Sequence, residues 1–302
     1  MDPLNIGLRF ALYATLLPMF GLALFNLTAS TNDKLEQFGG LRRWLAWGAI
    51  VALLLSALSI AEMTASMMGV NVGDIGLGDV GGMLTGMTAG TAWLVRVVAL
   101  AVVVVAAVIG RPTGMLTIAT AGFAVASASL AWTGHGGMDD GRRGVIHAGA
   151  DVVHLLAAGA WLGGLLALAR PVWASAAQDD HESTHRSLAR FAGVGTAAVA
   201  LLVLTGLINS WLLIGFDRLP ALWTSLYGRL LLIKLGLFGL MLALAASNRF
   251  RLTPALRRGL VGGRTALAIG DLRRSLALET AAALGILGLV AWLGTLAPPI
   301  SA

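Results

Sequence analysis

Long apolar runs, broken by short polar or basic connections, recur along the whole chain. They predict spans near residues 7–27, 44–62, 90–109 and 114–133 in the first half, and near 147–169, 191–214, 229–247 and 275–296 in the second. Each run approaches the roughly 20 residues that a helix, rising 1.5 Å per residue, needs to cross a hydrocarbon layer. No water inside such a layer can satisfy a backbone N–H, so runs of this length are expected to be helical. The predicted fold class is an all-α polytopic membrane protein, a bundle of about eight transmembrane helices with both termini on one side.

Composition agrees with the pattern. Of 302 residues 57% are hydrophobic and 12% charged, which leaves too little polar surface for a soluble globule and sets soluble enzyme classes aside. The formal net charge of +6 would suggest nucleic acid in a soluble chain. Here Lys34, Arg42, Arg43, Arg111, Arg170, Arg186, Arg190, Arg249, Arg251 and all the later arginines, Arg257, Arg258, Arg264, Arg273 and Arg274, fall in alternate connections. The opposite connections and span ends hold Arg9, Arg142, Arg143, Arg218 and Arg229. By the positive-inside rule the richer side is cytoplasmic and both termini face out. Basic residues spread over four short loops form no groove for nucleic acid, which is not expected as a partner; membrane lipid is. Trp44, Trp47, Trp93, Trp132, Trp173 and Trp223 lie near predicted span ends, where an aromatic belt belongs.

Residues 1–302 read as one transmembrane domain, and the first apolar run as a retained span, because no basic segment and cleavage site precede it. The longest outer connection, 63–89, contains GVNVGDIGLGDVGG, too glycine-rich for an ordinary helix, and is expected to be a folded-back loop. The segment from Pro171 to Ala189 is polar and is assigned no chemistry.

Ionisable side chains are costly inside a bilayer, so those present should face the bundle interior and are functional candidates. Glu62, Arg96, His147, Asp151, His154 and Lys234 fall in the outer halves of their spans, which predicts an outward-opening polar pocket; Glu279 falls at the inner end. Asp151 and Glu62 are the expected counter-charges for Arg96 and Lys234, and Glu279 is expected to pair with Arg273, Arg274 or Arg249. His147, Asp151 and His154 stand at i, i+4 and i+7, within roughly a 60° arc of one helix. Ala158 and Trp161 extend that stripe, and Gly163 and Gly164 follow, where another helix can come close. The two histidines are about 10.5 Å apart along the axis, which suits successive sites: His147 near the surface, His154 with Asp151 deeper. The plainer alternative is that they only form hydrogen bonds between helices.

With no cysteine in the chain, a soft metal would have to use His or Met. WTGHGGMDD places His135 and Met138 just before the span-5 stripe, and Met63, Met67, Met68, Met83 and Met87 lie on the same side. Imidazole with thioether suits copper, Cu(I) especially, rather than Mg or Ca. No GxSxG, HExxH or P-loop pattern occurs, so the chain is not expected to be an enzyme and any transport would be passive or gradient-driven.

The stretch HAGADVVHLLAAGAWLGGLLAL with the preceding TGH, then RFAGVGTAAVALLVLTGLIN, YGRLLLIKLGLFGLMLALAASNRFRLTPAL and LRRSLALETAAALGILGLVAWLGTLAPP, resembles the copper resistance protein D (CopD-like) family of bacterial inner-membrane proteins. The resemblance covers residues 130–299; over 1–129 it is limited to the span pattern and the Met68-Gly69 pair. It implies copper handling between periplasm and cytoplasm, usually uptake, in some cases beside a periplasmic CopC-like copper-binding partner. It further implies metal ligation by His135, His147 and His154 and a polar role for Lys234. The combined expectation is a pocket that captures a copper ion, Cu(I) or Cu(II), with His135, His147 and His154, aided by Met138 or Met68, and passes it inward. Two other readings stay open: a copper sensor or assembly partner that binds without transport, and a b-type haem protein.

Overall fold

The computed structural model describes residues 2–28, 31–133, 141–174, 178–215, 218–262 and 265–299. The described residues contain helices and no strand. In chain order the helices are α1 (Pro3–Leu27), α2 (Thr31–Met68), α3 (Leu77–Gly86), α4 (Thr88–Ile109), α5 (Pro112–Ala128), α6 (Gly141–Ala174), α7 (Gln178–Ile214), α8 (Ala221–Thr224), α9 (Leu226–Ser247), α10 (Thr253–Gly262) and α11 (Thr265–Leu293). Eight of them, α1, α2, α4, α5, α6, α7, α9 and α11, carry stretches long and apolar enough to cross a membrane. The protein is thus an eight-span helical membrane protein.

Three junctions differ from expectation. Helix α2 continues two turns past the predicted span end, to Met68, and stops where Gly69 adopts φ +69°, a left-handed conformation that glycine takes without strain. The glycine-rich connection does fold back, but through a helix, α3. Its first turn is closed by the Asp79 carboxylate, which accepts from the Gly76 N–H at 2.8 Å, and Met83 is buried where α3 lies on α4. A cap and one anchor suffice to offset the glycines over ten residues. The third is at the end of α9, where the chain passes through a π-helical turn, Asn248–Leu252, before α10.

The spans form two groups of four. Helix α1 lies against α2, α5, α6 and α11, while α6 lies against α7 and α11, and α9 against α11. The α1–α6 contact joins the groups. There the backbones touch: a Cβ on Gly21 would sit 1.9 Å from the Gly159 carbonyl oxygen, and one on Gly163 would sit 2.1 Å from the Gly21 backbone. Such small-residue seams let dispersion contacts act at short range where lipid supplies no hydrophobic driving force. Gly164, as expected, also admits a neighbour, the Phe191 ring of α7.

Several arginines satisfy helix C-termini. Arg42 donates to the carbonyls of Ala107 and Val108 at the end of α4, Arg273 to those of Val172 and Trp173 at the end of α6, and Arg143 to Leu212 near the end of α7. This use explains why Arg273 does not pair with Glu279. That carboxylate instead accepts from the Asn248 side-chain amide. Trp44, Trp47, Trp173 and Trp223 stand exposed near span ends, as a belt requires.

Gly163→Ala should destabilise the protein by about 1–3 kcal/mol, because backbone rather than a flexible side chain must yield. Gly149→Ala, whose Cβ meets nothing within 4 Å, should leave the melting temperature in detergent unchanged or slightly higher. Equal melting temperatures for the two variants would contradict the seam.

Candidate metal-binding cavity

The stripe on α6 behaves as its spacing predicts. His147, Asp151 and His154 all line one cavity of about 150 Å³, enclosed by α1, α6, α7, α9 and α11. Their partners differ from expectation. His147 is 1% exposed, and its Nε2 lies 3.9 Å from Asp151 Oδ2. Side chains on a helix lean towards its N-terminus, so Asp151 reaches back to His147 rather than forward to His154. The other carboxylate oxygen accepts from Asn209 Nδ2 on α7 at 2.6 Å.

His154 is held by Thr205. Its Nδ1 is 2.9 Å from Thr205 Oγ1, and that hydroxyl is 2.6 Å from the Leu201 carbonyl. A hydroxyl has one proton, and here it goes to Leu201, so Thr205 accepts from His154 Nδ1–H. In the neutral ring Nε2 then carries the lone pair, the form in which imidazole binds a metal. Lys234 and Tyr227 of α9 line the same cavity. Lys234 forms no ion pair with Asp151 among the described residues.

Glu62 and Arg96 line a second, smaller cavity of about 50 Å³ with Asn5, Arg9, Met63 and Thr133. They are not counter-charges for one another. Glu62 accepts from Asn5 Nδ2 at 2.8 Å. Arg96, 1% exposed, donates through Nε to Ser129 Oγ at 2.9 Å and has no carboxylate partner among the described residues. A neutral hydroxyl thus stands where a carboxylate was expected. Arg9 and Tyr13 border both cavities. Arg9 fits because a glycine stands opposite just past the end of α11: a Cβ on Gly294 would lie 2.4 Å from its guanidinium.

Of the metal ligands expected from sequence, His147 and His154 share a cavity. Met68 is half exposed at the end of α2 and lines neither cavity. His135 and Met138 lie outside the described residues. Among the described residues no group of three or more His, Cys, Asp or Glu side chains is arranged to hold a metal. Sequence reasoning passed over Thr205, Asn209, Tyr227, Arg9 and Asn5. Thr205 and Asn209 did leave a signal, two polar residues at i and i+4 within an apolar span.

Helix number and a cavity inside the bundle lined by ionisable side chains define the class, a polytopic membrane protein with polar groups between its spans. The comparisons are more specific. Residues 1–145 match the family model "Copper resistance protein D-like, N-terminal domain" and residues 185–293 match "Copper resistance protein D". Over 308 aligned residues the chain is 41% identical to copper resistance protein D of Pseudomonas syringae pv. tomato, covering 100% of this chain and 99% of the relative. It is 29% identical over 258 residues to inner membrane protein YebZ of Escherichia coli (strain K12), covering 84% and 86%. With copper transport protein CutJ of Bacillus subtilis (strain 168) it shares 33% identity over 129 residues, 42% of this chain and 23% of that one. No solved structure matches the chain. The chain belongs to the copper resistance protein D family and is a multi-pass inner-membrane protein. The family match over residues 1–145 includes residues 1–129, where the sequence showed only the span pattern and the Met68-Gly69 pair.

Thr205→Val should leave His154 Nδ1–H without its acceptor and lower stability by about 0.6–2 kcal/mol. Thr205→Ser, which keeps the oxygen, should stay close to the parent protein. Melting temperatures of the two variants in one detergent make the comparison.

Proposed function

We propose that the protein binds copper in the cavity between α6, α7 and α9 and moves it across the inner membrane from periplasm to cytoplasm. The observation that carries this reading is His154: its Nδ1 lies 2.9 Å from Thr205 Oγ1, a hydroxyl that donates to the Leu201 carbonyl, which leaves the lone pair at Nε2 to a metal, seven residues from the buried His147 in the same cavity. His147 and His154 are successive ligands, with His135 and Met138 or Met68 receiving the ion ahead of them. Asp151 offsets the cation's charge and orients the His147 ring, while Asn209 holds Asp151 in place. Across the cavity, Lys234 keeps the site from becoming strongly anionic, so the ion is held weakly enough to leave again. Arg96 and Glu62 belong to the adjoining smaller cavity and shape its polarity.

In this proposal both termini face the periplasm, as the distribution of arginines favours, and one transmembrane domain carries the whole activity. A CopC-like periplasmic protein is a fitting donor of the ion to the His147 end. Copper oxidation state follows from the ligands reached first: thioethers select Cu(I), imidazoles accept either. Binding without transport, as in a sensor or assembly partner, uses the same histidines and differs only in flux.

Replacing both His147 and His154 by Ala should lower copper stoichiometry under reducing conditions while the protein still inserts, because Ala is at home in a membrane helix and His is not. Asp151→Asn should weaken binding and leave folding intact. Unchanged stoichiometry in the double variant would reduce the histidines to packing residues. A reporter fused after Ala302 and active only in the cytoplasm would reverse the assigned orientation.

A further inference from the structure

A third cavity lies at the opposite end of α6, between α6, α7, α9 and α11. It measures about 290 Å³ and is bordered by Trp161, Phe191, Thr196, Asn248, Arg249 and Glu279. Its walls are mainly apolar, yet it contains a carboxylate that is 1% exposed, Glu279, held by the Asn248 amide. Two more polar atoms there have no hydrogen-bond partner among the described residues, Asn248 Oδ1 and Trp161 Nε1, and Trp161 is 2% exposed. The π-helical turn beginning at Asn248 sets the end of α9 out of α-helical phase at this point, a distortion that recurs at functional sites.

The two cavities lie along the same pair of stripes. On α6 the stripe of His147, Asp151 and His154 continues through Ala158 to Trp161, at i+11 and i+14. On α9 the same spacing runs from Lys234 through Phe238, Met241 and Ala245 to Asn248. Lys234 borders the histidine cavity, and Ala245 and Asn248 border the third one. Helices α6 and α9 are not a closely packed pair. They meet through Trp161 and Phe238, whose rings are edge to face with centroids 6.3 Å apart. Met241, 5% exposed, belongs to the same buried cluster as Trp161, Leu165 and Leu202. The layer between the cavities is about 10 Å thick, the rise from His154 to Trp161.

We propose that the histidine cavity and the Glu279 cavity are the two ends of one cation path, closed by Trp161 against Phe238, with the Met241 thioether as the ligand inside the closure. This rests on the transport reading above and assigns the residues between entry and exit. An apolar layer of this thickness is a steep barrier to a bare cation. A thioether lowers that barrier selectively, since it binds Cu(I) or Ag(I) and offers little to hard cations such as Na⁺ or K⁺. On the far side Glu279 and the free Asn248 oxygen provide the next acceptors. Glu279 then has a task that a packing residue would not need: a carboxylate inside an apolar cavity, with no arginine partner among the described residues.

The experiment uses the full chain in proteoliposomes, with the initial rate of Cu(I) entry and of Ag(I), a redox-inert probe, as the readout. Met241→Leu conserves volume and removes the sulfur. It should lower both rates about tenfold or more, with copper stoichiometry at the histidine cavity and melting temperature unchanged, a split that a packing role does not produce. Glu279→Gln should slow entry in the same way. Trp161→Ala should admit K⁺, which the parent protein excludes. Parental rates and parental exclusion of K⁺ in all three variants would overturn the path while leaving transport standing; if Trp161→Ala does not fold, Met241→Leu alone decides. Absence of Cu(I) entry in the parent protein would instead overturn the transport reading, and the path with it.

Discussion

Two helix backbones can touch only where neither has a side chain, and the α1–α6 seam is such a place. Gly21 on one helix meets Gly159 and Gly163 on the other, and this contact holds the two groups of four spans together. Its consequences reach beyond the seam. With α6 drawn against α1, the polar stripe of α6 turns towards α7 and α9, away from lipid. The cavity around His147, Asp151 and His154 is what remains where α1, α6, α7, α9 and α11 converge. Side chains larger than hydrogen at these glycines would push the stripe away from its partners.

A second constraint then selects the partners. A bilayer leaves no water for a stray donor or acceptor, so each intramembrane polar group is matched inside the bundle or faces a cavity. The matches found here are mostly neutral: Asp151 with Asn209, His154 with Thr205, Glu62 with Asn5, Arg96 with Ser129, Glu279 with Asn248. Neutral partners suit the cation path proposed above. A salt bridge at each position would hold its charges more firmly and compete with the cargo, whereas an amide or hydroxyl steadies a carboxylate or imidazole and leaves it part of its binding capacity.

The arginines do separate work. Arg42, Arg143 and Arg273 satisfy carbonyls at helix ends, so the charge asymmetry along the chain is also a pattern of capping. Arg9 differs: it enters the bundle beside Gly294 and borders two cavities. Its position near the start of α1 gave no hint of this, because depth in the bundle depends on what the opposite helix leaves open.

Eight spans, the helical class and the one-faced stripe on α6 were legible from the chain alone, because each depends on local quantities: run length against bilayer thickness, and the angle per residue of a helix. The same periodicity marked Gly163 and Gly164 as points of approach. The helix over Leu77–Gly86 was not legible, since glycine propensity argued against it and the Asp79 cap and the Met83 anchor were set by folding. The partners of the stripe were equally hidden: Thr205 and Asn209 stand 51 and 58 residues from the groups they hold. Periodicity gives the face on which a side chain lies but not which helix will stand opposite it. Packing settled that, bringing Asp151 to His147 and Asn209, giving Arg96 a hydroxyl and Glu279 an amide, and setting Trp161 against Phe238, because contacts between helices depend on distances that no single segment encodes.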